Sequence, residues 1–268
     1  MTSLTDAARL TEQYATDENL RIRQQVHRQF SVGRNLEEAV DAALKLQSGD
    51  ALLDIGTGPG DFPGRLRATG HTGRIVGLDQ SDGMVQQARA SHPEVEFIVG
   101  DAIHLLLEDM SFDAVTARHM LYHVPNVAAA IREARRVLKP GGRFLAITNA
   151  DGFMREFWDA VLKGIAPIPG FAAMTKAHSA PLYHHARLEE TTRAVFGNAK
   201  LELLEGALEF PDAAGPLSYF DSARTITMYD VDAASWEAGR EAFCAVLERL
   251  QYPWRVSKGV AFISAIRD

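Results

Sequence analysis

Three glycines, Gly56, Gly58 and Gly60, stand at alternate positions directly after a short apolar run that contains Asp54. Glycine lets the backbone adopt positive φ and lets a ligand approach the main chain closely. In an open parallel sheet, ligands bind beyond the carboxyl ends of the strands. The stretch LLDIGTGPGDF, residues 52–62, therefore predicts a strand that ends in a ligand-binding loop with a carboxylate at its edge.

The glycine spacing limits which ligand this loop can hold. A dinucleotide loop has the pattern G-x-G-x-x-G, whereas here the third glycine comes one place early. A phosphate-binding P-loop ends in Gly-Lys followed by Ser or Thr, and GPGDF contains no such lysine. The spacing disfavours a nucleoside triphosphate and a dinucleotide, but a dinucleotide-dependent oxidoreductase stays an alternative.

Two further acids follow the next two predicted strands. Asp79 ends RIVGLD, and a carboxylate at that position can accept hydrogen bonds from both hydroxyls of a ribose. Asp101 ends VEFIVGD, where an acid can accept from an exocyclic amine while the backbone N–H of Ala102 meets a ring nitrogen. The two acids together favour a nucleoside ligand.

Short apolar runs alternate with amphipathic stretches from about residue 50 onward. The runs ALLDI, RIVGLD, VEFIVGD, FDAVTA and RFLAIT read as strands, and SDGMVQQARASH and NVAAAIREARRVL read as helices. The second helix is predicted to stop at KPGG, because Pro140 cannot continue it. This alternation predicts an α/β fold with right-handed crossovers and a parallel sheet covered on both faces.

Taken in order, the residues D-I-G-T-G-P-G, Asp79, G-D-A, S-F-D-A-V and VLKPGGRF resemble the class I S-adenosylmethionine-dependent methyltransferases. They are most similar to the small-molecule branch typified by the methyltransferase type 11 group. The resemblance covers roughly residues 50–148. It implies a Rossmann-like, mostly parallel sheet of seven strands whose last strand, VAFISAIRD, is antiparallel. It also implies S-adenosylmethionine as cofactor and in-line methyl transfer to a small-molecule acceptor.

The resemblance further implies a role for each residue that contacts the cofactor. Asp54 approaches the methionine amino group, Asp79 holds the ribose, and Asp101 takes the adenine amine. Arg118 begins the loop whose backbone carbonyl meets the methionine ammonium. The full set implied by the core is Asp54, Gly56, Thr57, Gly58, Gly60, Asp79, Gln80, Met84, Asp101, Ala102 and Arg118. In the N-terminal helical segment, Tyr14 and Arg23 could close over the methionine end, or form part of a solvated basic helix face.

The sequence predicts a single domain over residues 1–268. Its parts are an N-terminal helical segment at 1–47, a cofactor-binding core at 48–150 and a cap insertion at 151–186. The rest of the core, at 187–268, contains a helical insertion at 211–258.

Methyl transfer from a sulfonium needs an aligned nucleophile more than it needs a catalytic side chain. Proximity and orientation alone can contribute roughly 7–11 kcal/mol, and a general base is needed only where the acceptor must lose a proton. His119, Tyr122 and His123 in RHMLYH are the candidates to orient or deprotonate an acceptor, although His123 could equally bond its own loop. His119 and His123 are four residues apart, yet no nearby acid completes a three-ligand set, so no metal is predicted.

Aromatic residues outside the shared core suggest an apolar or aromatic acceptor. Some must pack the cap onto the sheet and others could line an acceptor pocket. These residues are Phe153, Phe157, Trp158, Tyr183, Tyr219 and Phe220, with His178 and the histidines of LYHHAR as pocket lining or surface.

Composition excludes several classes of partner. The formal net charge of −7 disfavours nucleic acid and anionic membranes, and no Asn/Asp-Pro-Pro-Tyr/Phe motif stands where ARHMLYHV follows the fourth strand. The single cysteine, Cys244, rules out an internal disulfide and is expected to be a buried helix residue. The N-terminus shows no signal-peptide pattern, so a cytoplasmic location is expected. A binding protein or non-methylating enzyme with the same fold remains an alternative.

Overall fold

The structure, a computed structural model, describes residues 18–172, 174, 185–224, 228 and 230–268. Its described part contains one sheet of eight strands in the order β1-β7-β8-β6-β5-β2-β3-β4. The strands are β1 (Ser31–Gly33), β2 (Leu52–Ile55), β3 (Ile75–Asp79), β4 (Glu96–Val99), β5 (Phe112–Arg118), β6 (Leu138–Asn149), β7 (Lys200–Phe210) and β8 (Trp254–Ile266).

The pairing of the strands confirms the predicted α/β, Rossmann-like class. β2 pairs in parallel with β3 and β5, and β4 and β6 extend the parallel part on either side. β8 is antiparallel to both β6 and β7, so the predicted orientation of the last strand is confirmed. β2, with all four residues buried, is a central strand with helices on both sides.

The sheet has eight strands where seven were expected. The additional strand is β1, whose three residues pair antiparallel with Gly206, Ala207 and Leu208 of β7. The expectation of a continuous helical segment at 1–47 is therefore wrong at 31–33. Gly33 has φ +109°, and the side chain of Asn35 accepts from the N–H groups of Glu37 and Glu38. A left-handed glycine and a new N-cap interrupt the helix at this point.

The helices in the described ranges cover both faces of the sheet and one end of it. They are α1 (Glu18–Phe30), α2 (Leu36–Leu44), α3 (Asp61–Ala68), α4 (Asp82–Ser91), α5 (Val127–Val137), α6 (Arg155–Ile165), α7 (His185–Phe196), α8 (Ala214–Ser222) and α9 (Ala233–Leu247). α2, α3 and α4 pack with Leu52 on one face, whereas α5 and α7 pack with Leu53 on the other. Adjacent residues of a strand point to opposite faces of the sheet, so each apolar strand contributes side chains to the hydrophobic core on both faces.

An aromatic cap closes one end of the molecule and is built from α1, α6, α8 and α9. The fully buried Phe157 contacts the rings of Tyr219 and Phe243 at centroid distances of 5.2 and 5.6 Å. Phe220 stacks on Trp236 at 4.9 Å. Segments far apart in sequence thus share one hydrophobic cluster.

Two expectations for this region need correction. Residues 254–258 were placed in a helical insertion, but they begin β8 and pair with residues 206–210 of β7. Val256 is buried against the cap while Arg255 reaches Glu209, which is the alternation of a strand. Cys244 lies in α9 as expected, but it is half-buried rather than fully buried.

Candidate cofactor and acceptor cleft

The glycine loop after β2 adopts a conformation that requires glycine. Gly56, Gly58 and Gly60 have φ values of +70°, +56° and +82°. A Cβ on Gly56 would lie 2.6 Å from Met120, and one on Gly60 would lie 2.6 Å from the Phe97 ring. A Cβ on Gly58 would meet no atom within 4 Å. Gly56 and Gly60 therefore allow close packing, whereas Gly58 leaves an uncovered stretch of backbone.

A cleft of about 590 Å³ opens at this loop, beyond the carboxyl ends of the parallel strands. It contains nearly all of the expected site residues. They are Arg23, Asp54, Gly56, Thr57, Gly58, Asp79, Gln80, Met84, Asp101, Ala102, Arg118, His119, Tyr122 and His123. Gly60 lies outside the lining because it packs on Phe97, and Tyr14 lies outside the described residues.

Asp54 is a buried carboxylate, with 3% of its surface exposed. Its Oδ1 accepts a hydrogen bond of 2.6 Å from the hydroxyl of Thr116, directly across the β2–β5 pair. Burial raises the pKa of Asp54, although the nearby Arg118 and the Thr116 hydrogen bond oppose the change. Thr116 was not identified from the sequence as a partner of Asp54. The feature that could have indicated it is a hydroxyl residue inside the apolar run FDAVTA.

Asp79, at the end of β3, organises the loop. Its Oδ2 accepts from the N–H of Gly58 and its Oδ1 from the N–H of Ser81, both at 2.9 Å. Burial raises the pKa of Asp79 despite these two bonds. Each carboxylate oxygen can accept a further hydrogen bond, so the side chain can hold both the loop and a ligand.

Asp101 follows β4 and stands at the open edge of the cleft. Its side chain is exposed and its Oδ1 accepts from the N–H of Ile103 at 3.0 Å. The adjacent Ala102 is buried and lines the cleft together with Met84. Asp101 could therefore contact the polar edge of a flat ring whose face packs against Ala102 and Met84.

The two arginines of the cleft have structural partners. Arg118 pairs with Glu37 at 3.1 Å and lies over the Phe62 ring at 4.3 Å. Arg23 donates from Nη1 to the carbonyl oxygen of Ser222 at 2.8 Å. Arg118 thereby closes the floor of the cleft, and Arg23 joins α1 to the cap.

His119 and its neighbours follow β5. His119 has φ +50°, an uncommon conformation for a residue other than glycine, and its N–H donates to the carbonyl of Ile147 at 2.8 Å. Burial, with Arg118 and Lys258 nearby, lowers the pKa of His119 to about 4. Tyr122 and His123 lie in a single 3₁₀ turn with ring centroids 4.5 Å apart.

The other end of the cleft is aromatic. Phe153, Trp158 and Tyr219 line it, whereas Phe157 and Phe220 are fully buried in the cap. The predicted aromatic set thus divides into lining and packing residues. Tyr183, His178 and the first histidine of LYHHAR lie outside the described residues.

Two kinds of feature are absent from the described ranges. No three His, Cys, Asp or Glu side chains there converge as metal ligands would. None of the helices in the same ranges has the length and apolar character needed to cross a membrane.

Residues 53–146 match the family described as "Methyltransferase domain". This matched segment runs from β2 into β6 and is the part of the chain that is similar to a methyltransferase domain. The resemblance to class I methyltransferases implies S-adenosylmethionine as cofactor, and the lining of the cleft fits that molecule. The uncovered backbone at Gly58 leaves room for it, and Asp54, Asp79 and Asp101 supply acceptors for an ammonium, hydroxyls and an amine.

Two curated bacterial proteins are similar to the methyltransferase part of the chain. An uncharacterized 37.1 kDa protein in transposon TN4556 of Streptomyces fradiae is 42% identical over 116 residues, which are 42% of this chain and 34% of that protein. A demethylmenaquinone methyltransferase of Staphylococcus saprophyticus is 30% identical over 148 residues, which are 53% of this chain and 64% of that protein. The chain therefore spans less than two thirds of the curated relatives that it matches.

A solved structure is similar to this chain in fold. It is a phosphoethanolamine N-methyltransferase 2 of Haemonchus contortus, in complex with phosphomonomethylethanolamine and S-adenosylhomocysteine. The TM-score is 0.60 at 18% identity, covering 100% of this chain and 60% of that one. At this identity the likeness bears on the fold alone.

Proposed function

We propose that this chain is an S-adenosylmethionine-dependent methyltransferase that transfers a methyl group to a small-molecule acceptor. The observation that carries the proposal is the placement of three acids. Asp54 within β2, Asp79 at the end of β3 and Asp101 just after β4 lie around the uncovered backbone of Gly58, within one cleft. A dinucleotide would present a pyrophosphate to this acidic lip, whereas the ammonium and hydroxyls of S-adenosylmethionine complement it.

The residues of the loop would bind and orient the cofactor. Asp79 would hold the ribose hydroxyls, and Asp101 with the N–H of Ala102 would hold the adenine. Asp54 would face the amino group, where its burial strengthens a charge-assisted hydrogen bond. When bound, S-adenosylmethionine supplies an activated methyl group on a positively charged sulfur.

A small molecule is the acceptor class that the cleft favours. Phe153, Trp158 and Tyr219 line part of the cleft of about 590 Å³, which has room for a small molecule. One similar protein is named for demethylmenaquinone, a small molecule. The net charge of −7 gives no general attraction for a nucleic acid or an anionic membrane.

Substitution of Asp79 tests the cofactor site. Asp79→Ala removes two charged acceptors, each worth about 1.5–3 kcal/mol, so affinity for S-adenosylhomocysteine should fall by roughly a hundredfold or more. The measurement is isothermal titration calorimetry on the purified chain. The matched control is Asp82→Ala, because Asp82 is an exposed carboxylate of α4 that bonds Gln86 and does not line the cleft.

Asp82→Ala should bind as the parent does. Binding of S-adenosylhomocysteine to Asp79→Ala at parental affinity would show that the cofactor placement is wrong. Incubation of a cell extract with methyl-labelled S-adenosylmethionine then tests transfer, and we expect label in a low-molecular-weight product. Tight cofactor binding with no labelled product would favour a non-methylating protein.

A further inference from the structure

The sheet order separates the cofactor end of the cleft from a second end that carries different chemistry. β2, β3 and β4 lie on one side of β5, and β6 and β8 lie on the other. The aromatic cap, which includes α1, covers the cleft on the side toward β6. We name this end the acceptor pocket, and its lining residues are Arg23, His119, Asn149, Phe153, Trp158 and Tyr219.

Several basic groups lie in or near the acceptor pocket. Arg23 of α1 lines it, and His27, one turn further along α1, packs edge-on against the Tyr219 ring at 5.5 Å. Lys258 of β8 lies close enough to influence the charges of His27 and His119, and its Nζ donates to Ser31 Oγ at 2.7 Å. Arg23 and His119 thus line the acceptor pocket, whereas His27 and Lys258 lie close to it without lining it.

The imidazoles of this pocket are neutral at physiological pH. Burial is the main cause, and it lowers the pKa of His27 to about 3 and that of His119 to about 4. Lys258 contributes to both changes. Within the described part of the chain, Nδ1 of His27 is enclosed and has no hydrogen-bond partner. A neutral imidazole can accept a hydrogen bond from a hydroxyl group.

The carboxylates of the cap around the acceptor pocket differ in how far they are engaged. Asp221 pairs with Arg240 at 2.8 Å, and Glu156 accepts from the N–H and hydroxyl of Ser257 at 2.8 and 2.6 Å. Asp151 lines the cleft with 55% of its side chain exposed, and its Oδ1 lies 3.4 Å from Nδ1 of His185. An oxyanion would gain the field of Arg23 and Lys258.

We propose that the acceptor pocket binds an aromatic hydroxy compound whose hydroxyl reacts as an oxyanion, so that the transfer is an O-methylation. This inference rests on the proposed methyltransferase function. The aromatic body of the acceptor packs between Phe153, Trp158 and Tyr219. Its hydroxyl proton passes to water through a hydrogen bond to His119. The freed electron pair of the oxygen then forms the bond to the methyl carbon, while the carbon–sulfur pair remains on sulfur and gives S-adenosylhomocysteine.

The absorbance of a phenol probe reports on this pocket without any turnover. The probe is 7-hydroxycoumarin, whose phenol and phenolate forms absorb at different wavelengths. It is titrated into the chain saturated with S-adenosylhomocysteine. The charged and titratable groups around the bound hydroxyl are Arg118 and His119 after β5, Arg23 and His27 on α1, Asp54 on β2, Asp151 after β6, Tyr219 on α8 and Lys258 on β8. With three cations against two carboxylates, the pKa of the bound phenol should fall by about one unit, a tenfold rise in the phenolate-to-phenol ratio near neutral pH.

Charge-removing variants locate the cause of the shift. Arg23→Gln and Lys258→Gln should each return the probe toward its solution pKa, and Arg23→Lys should retain most of the effect. The matched control is Lys200→Gln, at an exposed position at the other end of the β7–β8 pair. Parental thermal stability of each variant shows that a lost shift does not arise from unfolding.

Three results would overturn the acceptor class. They are a bound probe with an unchanged pKa, no probe binding to a chain that binds S-adenosylhomocysteine, and tighter binding of the aromatic cation tryptamine than of 7-hydroxycoumarin. Each of them leaves the proposed methyl transfer standing. Failure of S-adenosylhomocysteine to bind would remove the proposed function and the acceptor class with it.

Discussion

At the scale of single residues, burial sets the charge state of the groups around the cleft. Asp54 and Asp79 have raised pKa values, whereas His27 and His119 have lowered ones, and burial is the largest cause in every case. The carboxylates nonetheless keep hydrogen-bond donors, since Asp54 has Thr116 and Asp79 has the N–H groups of the loop. The proposed site would present these acids to a cationic ligand, whereas burial keeps the imidazoles neutral.

The lowered pKa of His27 makes stability sensitive to acid. Its pKa is 6.5 in the unfolded chain and about 3 in the folded one. Between these values the unfolded chain binds the proton and the folded chain does not, so the free energy of unfolding falls by about 1.4 kcal/mol for each pH unit below 6.5. His27→Gln should remove this contribution, which is measured by urea unfolding from neutral pH to about pH 4.

A matched variant separates this effect from general acid sensitivity. His104→Gln changes an exposed histidine near Asp101 and should leave the acid dependence of the parent unchanged. If His27→Gln and the parent lose stability in parallel as the pH falls, His27 is not held neutral in the fold.

The sequence predicted which residues lie near the ends of the strands, but it did not predict which side chains contact them. Asp54, Asp79 and Asp101 were found because each directly follows an apolar run that its own neighbours define. Thr116 and Lys258 were missed because their importance depends on register between strands far apart in the chain. Arg118 was expected to matter through its backbone, and its side-chain contact with Glu37 comes from a helix that precedes it by about eighty residues.

At the scale of elements, the glycine loop combines two different demands for glycine. All three glycines have positive φ, which costs other residues about 1–2 kcal/mol. Gly60 is also covered by Phe97, while Gly58 faces the cleft. Substitution should therefore damage stability at one position and ligand binding at the other.

Alanine substitutions test this division. Gly58→Ala should weaken S-adenosylhomocysteine binding by more than tenfold and lower the free energy of unfolding by about 1–2 kcal/mol. Gly60→Ala should lower the free energy of unfolding by about 1–3 kcal/mol more than Gly58→Ala does, because the new methyl group overpacks against Phe97. Calorimetry and urea unfolding supply the two measurements.

Gly197→Ala is the control for backbone strain. Gly197 has φ +81° and open space around it, and it lies outside the cleft. It should lose stability as Gly58→Ala does and keep parental affinity. If Gly58→Ala also keeps parental affinity, no ligand lies against this backbone.

The periodic elements of the core could be predicted well, and the irregular ones could not. The apolar runs of β2, β3 and β5 are short and bounded by polar residues, so they read as strands. β1 escaped notice because three residues carry no periodicity, and its pairing with β7 depends on a segment about 175 positions later. The start of β8 at Trp254 was missed because the apolar run that marks the strand begins only at Val260.

At the scale of the whole molecule, the cleft lies where a parallel sheet meets an aromatic cap. The sheet supplies the acids and the uncovered backbone, and the cap supplies Phe153, Trp158 and Tyr219. Ligand bound between them should link two parts of the fold that otherwise meet through side-chain packing. Binding should therefore be visible as global stabilisation.

Thermal unfolding provides that readout. A ligand at a hundredfold excess over its dissociation constant stabilises the native state by about 2.7 kcal/mol, which corresponds to a rise of roughly 5–10 °C in Tm. S-adenosylhomocysteine should raise the Tm of the parent and of Asp82→Ala, but not that of Asp79→Ala. An equal rise in the Asp79 variant would mean that the ligand binds elsewhere.

A crystal structure of the chain with S-adenosylhomocysteine tests the central claim most directly. We expect density for the ligand over Gly58, with the ribose hydroxyls on Asp79, the adenine against Asp101 and Ala102, and the amino group toward Asp54. The sulfur should point toward the space between His119 and Tyr219. Density at any other place, or a ligand whose ribose has no contact with Asp79, would contradict the account.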